Sequence, residues 1–527
     1  MRGKAHRPLI RRVAPPSPAR GEGVRAQSTD RTSGNAALAA SAGLIVFAAA
    51  LWAPQVLNDG DSWWHVAAGR LMIARHALIT ADPFSYTFPG KPWLNHEWLA
   101  DVLLGGAFNA GGWSGVMLLT AGAAGLTAWL LARDVGRWLS GLALAVVVLA
   151  ALSLVGPHLL ARPHMLALPL LEVWTAGLIV ARAQERAPKW ALLPVMALWA
   201  NLHGSFFFGL GLVGVFALEA LITAPREARI GVAARWGAFG LAALAMALAT
   251  PHGVAGLLLP LNLSGMGSLG HIGEWAAADF SRPQPLAIAL ALSAYAFLTR
   301  PVRPAPLRGL LLVVLVFMAL QHIRHEMLLG VVGALILAEP LARGFGQPRL
   351  EPAGAAKTPA LPVTWTAFAA AAVLLLGVAR LAAPVIRVDG PAAPIAAVNA
   401  TPAALRAMPV LNDYAFGGYL IARGVKVFID SRADMYGDRF VEAYAKLARG
   451  DADALARVLR ARGIAWTLLV PGTPLERAMA RTPGWRRLYA DRWAVVDVRE
   501  DLPPATPAAR PSPARALQRA GPRLHES

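Results

Sequence analysis

The chain has no cysteine and little charge for its length. The absence of cysteine excludes a disulfide-stapled secreted scaffold and removes thiolate ligands for zinc. Charged residues make up 15% of the 527 residues and hydrophobic residues 56%, whereas soluble domains average about 25% charged residues. Such an apolar chain is not disordered as a whole. Long apolar runs separated by short arginine-bearing loops therefore predict a polytopic membrane protein.

Eleven apolar runs approach the length of about 20 residues that a membrane-spanning helix requires. They lie near 36–57, 98–132, 139–156, 164–181, 189–201, 203–223, 233–250, 285–299, 308–323, 326–342 and 362–383. The second run is long enough to be broken at Gly111-Gly112. The first is interpreted as an uncleaved anchor, because its charged leader is too long for a signal peptide.

Arginine and lysine alternate between the loops. They are concentrated in the N-terminal tail and in every second loop, whereas residues 58–100 contain only Arg70, Arg75 and Lys91. The positive-inside rule places the basic loops in the cytoplasm. Residues 58–100, the turns near 157–163, 201–204 and 251–284, and everything after about 384 are then outside, which in a bacterium means the periplasm. This topology accounts for the formal charge of +19 without a nucleic-acid partner.

The first outer loop opens with two aspartates, Asp59 and Asp61, on either side of a glycine. Trp63 and Trp64 follow in an amphipathic stretch that suits a helix in the membrane interface. At this boundary the two carboxylates could act as a general base, as a cation site or as both. The alternative is that one of them only caps the helix.

Other polar residues occur at the same predicted face, where ionisable groups are costly and usually face a cavity or each other. The substrate-binding candidates are His65, His96, Glu97, Arg162, His164, Asn201, His203, His252, Glu274, Arg324 and His325. Arginine in such a cleft suits a phosphate or pyrophosphate. Taken singly, His203 or His252 is better explained by hydrogen bonding at a helix end, and Arg162 and Arg324 could merely snorkel. No cofactor is certain, and a divalent metal stays open.

After about residue 384 the composition becomes that of a soluble domain. Apolar segments at 425–429, 464–470 and 493–498 predict strands, and 438–462 predicts a helix, so that 384–500 forms a small α/β domain. Asp430, Arg432 and Asp434 follow the first of these strands, where ligand groups often lie. A structural ion pair is the favoured interpretation of this cluster. The tails 1–35 and 501–527 are predicted to be disordered.

This layout resembles the GT-C superfamily of integral-membrane glycosyltransferases. The resemblance covers about 36–345 and rests on a short tail, one span, an acidic motif that opens a long outer loop, and many further spans. It implies an all-α membrane domain of about eleven spans at 36–383, followed by a periplasmic α/β domain. It also implies sugar transfer from a polyprenyl phosphate at the outer face of the inner membrane, with Asp59 or Asp61 as base. The acceptor would be a glycan, a lipid or a protein.

Three motifs also resemble bacterial multi-spanning proteins of unassigned function. They are D-x-D-x-W-W-H at 59–65, W-x-N-x-H-G at 199–204 and GGYL…FID-x-R-x-D at 417–434. Two rivals to the glycosyltransferase hypothesis stay open. One is a glycan ligase or polymerase that uses a pyrophosphate-linked carrier, and the other is a non-enzymatic transporter or assembly scaffold.

Overall fold

The computed structural model describes residues 18–271, 273–347 and 363–502, and most of them are helical. The membrane-domain helices are α1 Pro18–Trp52, α2 Asp61–Arg75, α3 Trp98–Val135, α4 Gly141–Val155, α5 Pro163–Ala183, α6 Leu193–Leu202, α7 Phe206–Thr223, α8 Arg229–Ala247, α9 Gly253–Ser264, α10 Pro285–Thr299, α11 Pro306–Gln321, α12 Glu326–Leu328, α13 Ala334–Gly344 and α14 Val363–Ala382. A short π-helix, Leu329–Gly333, joins α12 to α13.

In the described part of the chain, eight helices are long and apolar enough to cross a membrane, judged by length and composition. Four shorter apolar helices accompany them, at Trp190–Leu202, Gly253–Ser264, Pro285–Thr299 and Pro306–Gln321. Three of the four correspond to predicted spans, while Gly253–Ser264 was not predicted as one. These findings support a multi-pass membrane protein; the count of eleven spans and the orientation stay predictions.

Two details of the first helices bear on the sequence predictions. Helix α1 begins at Pro18, within the tail predicted to be disordered, and residues 1–17 lie outside the described residues. Extending an apolar helix that has already formed requires no new nucleation, which favours helix even in this polar stretch. The predicted break in α3 is confirmed, because Gly111 and Gly112 leave the helical conformation and Gly112 has a φ of 56°, which favours glycine.

Helix α2 packs directly against the first turns of α3. A Cβ atom on Gly69 would lie 1.8 Å from the Asp101 carbonyl oxygen, and one on Gly105 would lie 2.6 Å from the Arg70 nitrogen. Only glycine permits this backbone contact. The close approach brings the acidic end of α2 to the point where the chain enters α3.

The C-terminal domain contains a four-stranded sheet in the order β1-β2-β4-β3. The strands are β1 Val410–Asn412, β2 Trp466–Leu469, β3 Trp485–Ala490 and β4 Val495–Arg499; β1 and β2 are parallel, and the other pairs are antiparallel. Helices α15 Ile395–Ala400, α16 Ala403–Arg406, α17 Gly417–Ala422, α18 Ala433–Tyr436, α19 Asp438–Ala448, α20 Ala452–Ala461 and α21 Pro474–Met479 complete it. The expected small α/β unit is therefore present.

The details of this domain differ from the prediction in three places. Residues 425–429 do not join the sheet; they run along the first loop, where Val427 bridges to Ser85. The helix predicted at 438–462 is divided into α19 and α20 by Gly450, whose φ is 84°. Strands β1 and β3 were not predicted, because β1 has three residues and β3 is only half-buried.

The C-terminal domain is joined to the loop between α2 and α3 by buried polar contacts. Arg432 pairs with Asp82 of the loop at 2.8 Å and with Asp430 at 2.6 Å, and all three side chains are buried. The structural interpretation of this cluster is thus supported. A Cβ on Gly418 would lie 2.0 Å from the Gly60 carbonyl oxygen. The D-x-D and GGYL motifs are therefore packed backbone against backbone.

Candidate active site

A cavity of about 880 Å³ lies between the helix ends, the loop after α2 and the C-terminal domain. Eleven of the thirteen predicted site residues line it: Asp59, Asp61, His65, His96, Glu97, Arg162, His164, His203, Glu274, Arg324 and His325. Most of the cavity-lining residues come from the segments predicted to be outside or from the helix ends beside them, and Leu168 and Leu171 lie further along α5. Segments far apart in sequence thus meet at one end of the helices.

The two other predicted residues, Asn201 and His252, are not part of the cavity lining. The Asn201 side chain accepts a hydrogen bond from Trp98 Nε1 at 2.8 Å and donates one to the Ala249 carbonyl at 3.0 Å. The His252 ring donates from Nε2 to the Asn95 carbonyl at 2.9 Å. Both join helix ends, which matches the alternative explanation offered for His252 from the sequence.

Arg162 connects the acidic motif to a distant loop. It precedes Pro163, whose fixed φ suits the first position of α5. Its Nη2 lies 2.7 Å from Asp61 Oδ2, and its Nη1 lies 3.4 Å from Asp59 Oδ2 and 2.8 Å from Glu274 Oε2. Burial by itself would lower the pKa of Arg162, but the three carboxylates raise it well above the ordinary value. The guanidinium is therefore permanently charged.

The two aspartates of the motif have different local roles. Asp59 Oδ1 accepts a hydrogen bond of 2.6 Å from the Asp61 backbone N–H. This bond holds the turn that leads into α2, whose N-cap position is Gly60 and has no side-chain cap. Burial raises the pKa of Asp61 despite the opposing effect of Arg162. Asp61 is thus the better candidate for proton transfer, and Asp59 the better candidate for a structural role in the turn before α2.

Glu274 bridges two arginines. Besides its contact with Arg162, its Oε1 lies 3.3 Å from Nη1 of Arg324, which stacks over the Trp275 ring at 4.4 Å. Burial would raise the pKa of Glu274, but Arg162 and Arg324 outweigh it and lower the pKa to about 2. We call Arg162 and Arg324 the arginine pair. Two guanidiniums that share one carboxylate mark a place suited to an anion.

His65 belongs to a buried network that sequence reasoning missed. Its Nδ1 lies 2.6 Å from Asp101 Oδ1, and Asn95 donates to Asp101 Oδ2 at 2.8 Å. Burial lowers the pKa of His65 to about 4, so the ring is neutral at pH 7. The signal available in the sequence was Asp101, an acidic residue in the first turn of the apolar helix α3.

Glu97 lies between two histidines on another wall. Its Oε1 is 3.7 Å from His96 Nε2 and 3.6 Å from His203 Nε2. Burial raises the pKa of Glu97, while His96 opposes the shift. Burial also lowers the pKa of His203. Within the described ranges, no group of three or more His, Asp or Glu residues could hold a metal ion.

The C-terminal domain contributes a wall of the cavity. Ser431 accepts a hydrogen bond from Trp64 Nε1 at 2.9 Å, and Asp434 accepts one from Trp93 Nε1 at 3.1 Å. Tyr414 also lines the cavity. Trp64 of the predicted interfacial stretch and Trp93 of the loop after α2 therefore hold this domain over the acidic motif.

Comparison with known proteins yields little sequence similarity. No protein-family model matches the chain, and no curated protein matches it significantly. One solved structure with a similar arrangement is the apo oligosaccharyltransferase of Archaeoglobus fulgidus. It is 12% identical, with a TM-score of 0.47 over 82% of this chain and 69% of that chain. This similarity is too weak to assign a family or an activity, so the proposals below depend on the side chains of the cavity.

Proposed function

We propose that this protein is a membrane glycosyltransferase that moves a sugar from a polyprenyl-phosphate donor to an acceptor in this cavity. The observation that carries the proposal is the position of Arg162. One guanidinium contacts both Asp61, a candidate base, and Glu274, which continues to Arg324. A proton acceptor and an anion site thus adjoin in a single cavity, as displacement of a phosphate by a hydroxyl requires.

The donor would bind with its phosphate at the arginine pair. Arginine binds phosphate oxygens in a planar, bidentate geometry, so the phosphate would compete with the Glu274 carboxylate for both guanidiniums. The cavity also has an apolar wall that would accommodate the prenyl chain. Residues of this wall are Leu168, Leu171, Phe207, Phe208, Leu261, Leu263 and Leu328.

The transfer itself follows from these positions. The acceptor hydroxyl oxygen forms a bond to the anomeric carbon while the bond from that carbon to the phosphate oxygen breaks. The electron pair leaves with the phosphate, and the arginine pair stabilises the charge that develops there. The hydroxyl proton passes to Asp61, whose raised pKa makes it a stronger base than an ordinary aspartate. His65 and Glu97 would orient the acceptor.

The proposed setting is the outer face of a bacterial inner membrane, with the N-terminus in the cytoplasm. Its support is the distribution of arginine and lysine among the loops and the convergence of the predicted outer segments on one cavity. The C-terminal domain would then be periplasmic. The acceptor, which is a glycan, a lipid or a protein, meets the donor beneath this domain.

The test is transfer of labelled sugar from polyprenyl phosphate by the full chain in lipid nanodiscs, with membrane extract supplying acceptors. For Asp61→Asn we expect a loss of about 100-fold or more, the usual contribution of a general base. Asp59→Asn is the matched control. Its loss should be much smaller, because the asparagine oxygen still accepts the Asp61 N–H.

Full transfer by Asp61→Asn would contradict the role of Asp61 as base. Transfer only from a pyrophosphate-linked carrier would favour a ligase or polymerase. If the wild-type protein bound the lipid but transferred sugar from neither donor, a transporter or scaffold would be favoured.

A further inference from the structure

Tyr414 is a cavity residue that the proposed transfer does not yet use. It comes from the C-terminal domain and lies within the 3-10 turn Tyr414–Phe416, next to the Gly417-Gly418 pair. Its hydroxyl is buried, and no described residue offers it a hydrogen-bond partner. A buried hydroxyl without a partner destabilises a fold, so an unpaired one at a cavity suggests a partner outside the protein.

The backbone around Tyr414 is fixed by other contacts. Its N–H donates to the Tyr444 hydroxyl at 2.9 Å, and the Asp413 carboxylate accepts the Ala415 N–H at 3.1 Å. The two tyrosine rings also lie near each other, with centroids 6.4 Å apart. The domain therefore holds the phenol in place independently of any ligand.

The charges that act on the phenol are those of the candidate site. Burial raises the pKa of Tyr414 well above its ordinary value; Asp61, Asp430 and Glu274 raise it further, and Arg162 opposes them. The hydroxyl therefore keeps its proton at neutral pH. It is a neutral hydrogen-bond donor in the same cavity as the arginine pair, where an anion would bind.

We propose that the Tyr414 hydroxyl donates a hydrogen bond to a phosphate oxygen of the lipid-linked donor, so that the C-terminal domain completes the donor site. This inference rests on the proposed function. A phosphate bound at Arg162 brings more acceptor oxygens than the single Glu274 carboxylate, and one of them can satisfy the phenol. Because the phenol is neutral, it adds affinity for the phosphate without placing another charge in the cavity. A hydrogen bond to a charged phosphate oxygen is also stronger than one between two neutral groups.

The test removes only the hydroxyl, as Tyr414→Phe, in the full chain in lipid nanodiscs. The probe is polyprenyl phosphate, and the readouts are its dissociation constant and the melting temperature without it. We expect binding to weaken about tenfold, the loss typical of one charge-assisted hydrogen bond. Without the probe, the melting temperature should stay equal or rise, because an unpaired buried hydroxyl has been removed.

Tyr419→Phe is the matched control. Tyr419 is the other tyrosine in the described ranges whose buried hydroxyl has no partner, and it does not line the cavity. Tyr419→Phe should change the melting temperature in the same direction as Tyr414→Phe. It should leave the binding of polyprenyl phosphate unchanged. A purely structural role for Tyr414 would give two variants with the same behaviour.

Three outcomes would overturn the inference. Wild-type affinity in Tyr414→Phe, with binding lost in Arg162→Ala, would remove Tyr414 from the site while leaving the proposed function standing. Equal affinity of the wild-type protein for inorganic phosphate would assign the site to free phosphate rather than to a lipid headgroup. Failure of the wild-type protein to bind polyprenyl phosphate would remove the donor site and the inference together.

Discussion

Two arginines of this protein each collect several carboxylates, Arg432 in the C-terminal domain and Arg162 at the cavity. Arg432 donates from Nε and Nη2 to Asp430 and from Nη1 to Asp82, and its side chain is 1% exposed. Arg162 has three carboxylate partners, but its side chain is 18% exposed and its Nε has no partner within the described ranges. One cluster is closed, whereas the other has capacity left for a ligand.

This difference between the two clusters assigns a structural role to Arg432 and is consistent with the proposed functional role of Arg162. A buried charge is tolerated when protein groups pair it and satisfy its hydrogen bonds. Arg432 meets this condition and thereby joins the domain to the first loop. Arg162 meets it only in part, because its Nε has no partner in the described ranges; the proposed donor phosphate would supply the missing partner. The same residue types thus lead to different expectations for mutation.

The largest effect is expected on removal of Arg432. Arg432→Ala leaves Asp430 and Asp82 buried without their counter-charge, which should lower the free energy of unfolding by about 3–5 kcal/mol. Chemical denaturation of the full chain in detergent measures it. Arg423→Ala is the control, since this exposed arginine of the same domain donates to the neutral Asn399 side chain; its change should stay within about 0.5 kcal/mol. Equal stability of the two variants would contradict the closed-cluster interpretation.

Removal of Arg162 should affect activity more than stability. Arg162→Ala should reduce sugar transfer by about 100-fold, because stabilisation of a developing anion by one positioned group is typically of this size. Its carboxylate partners lie beside a cavity where water can reach them, so the loss of stability should be smaller than for Arg432→Ala. Arg75→Ala, at the exposed end of α2, makes the same change in net charge. If it lowered transfer equally, a general charge effect would replace the proposed phosphate site.

The smallest effect is a pH-dependent one at Glu274. Its pKa is lowered to about 2 from an ordinary value of 4.5. The stabilisation from the arginine pair is therefore fully present above pH 4.5 and is lost as the pH falls toward 2. In Glu274→Gln the melting temperature should be lower than wild type at pH 6, and the difference should shrink on acidification. Glu227→Gln, on an exposed turn, should show no such convergence.

Much of the site could be found from the sequence because ionisable residues are rare in apolar chains. Arg162, Glu274 and Arg324 were noticeable for this reason, and all three line the cavity. The roles of individual side chains could not be found in that way. Asp61 differs from Asp59 through its contacts: Asp61 lies closer to Arg162, and Asp59 accepts a backbone hydrogen bond. Asp101 becomes relevant only when α2 and α3 pack together.

Local composition by itself determined the class of protein and the segments able to span a membrane, and it singled out most of the polar residues that line the cavity. Hydropathy and loop charge act over stretches of about twenty residues, so they can be read without knowing the fold. Tertiary structure alone decided which groups meet. Arg432 and Asp82 are 350 residues apart in the chain, and Tyr414 reaches the cavity only because glycines allow its domain to touch the acidic motif. Such pairings depend on the packing of distant backbones, which no single stretch of sequence specifies.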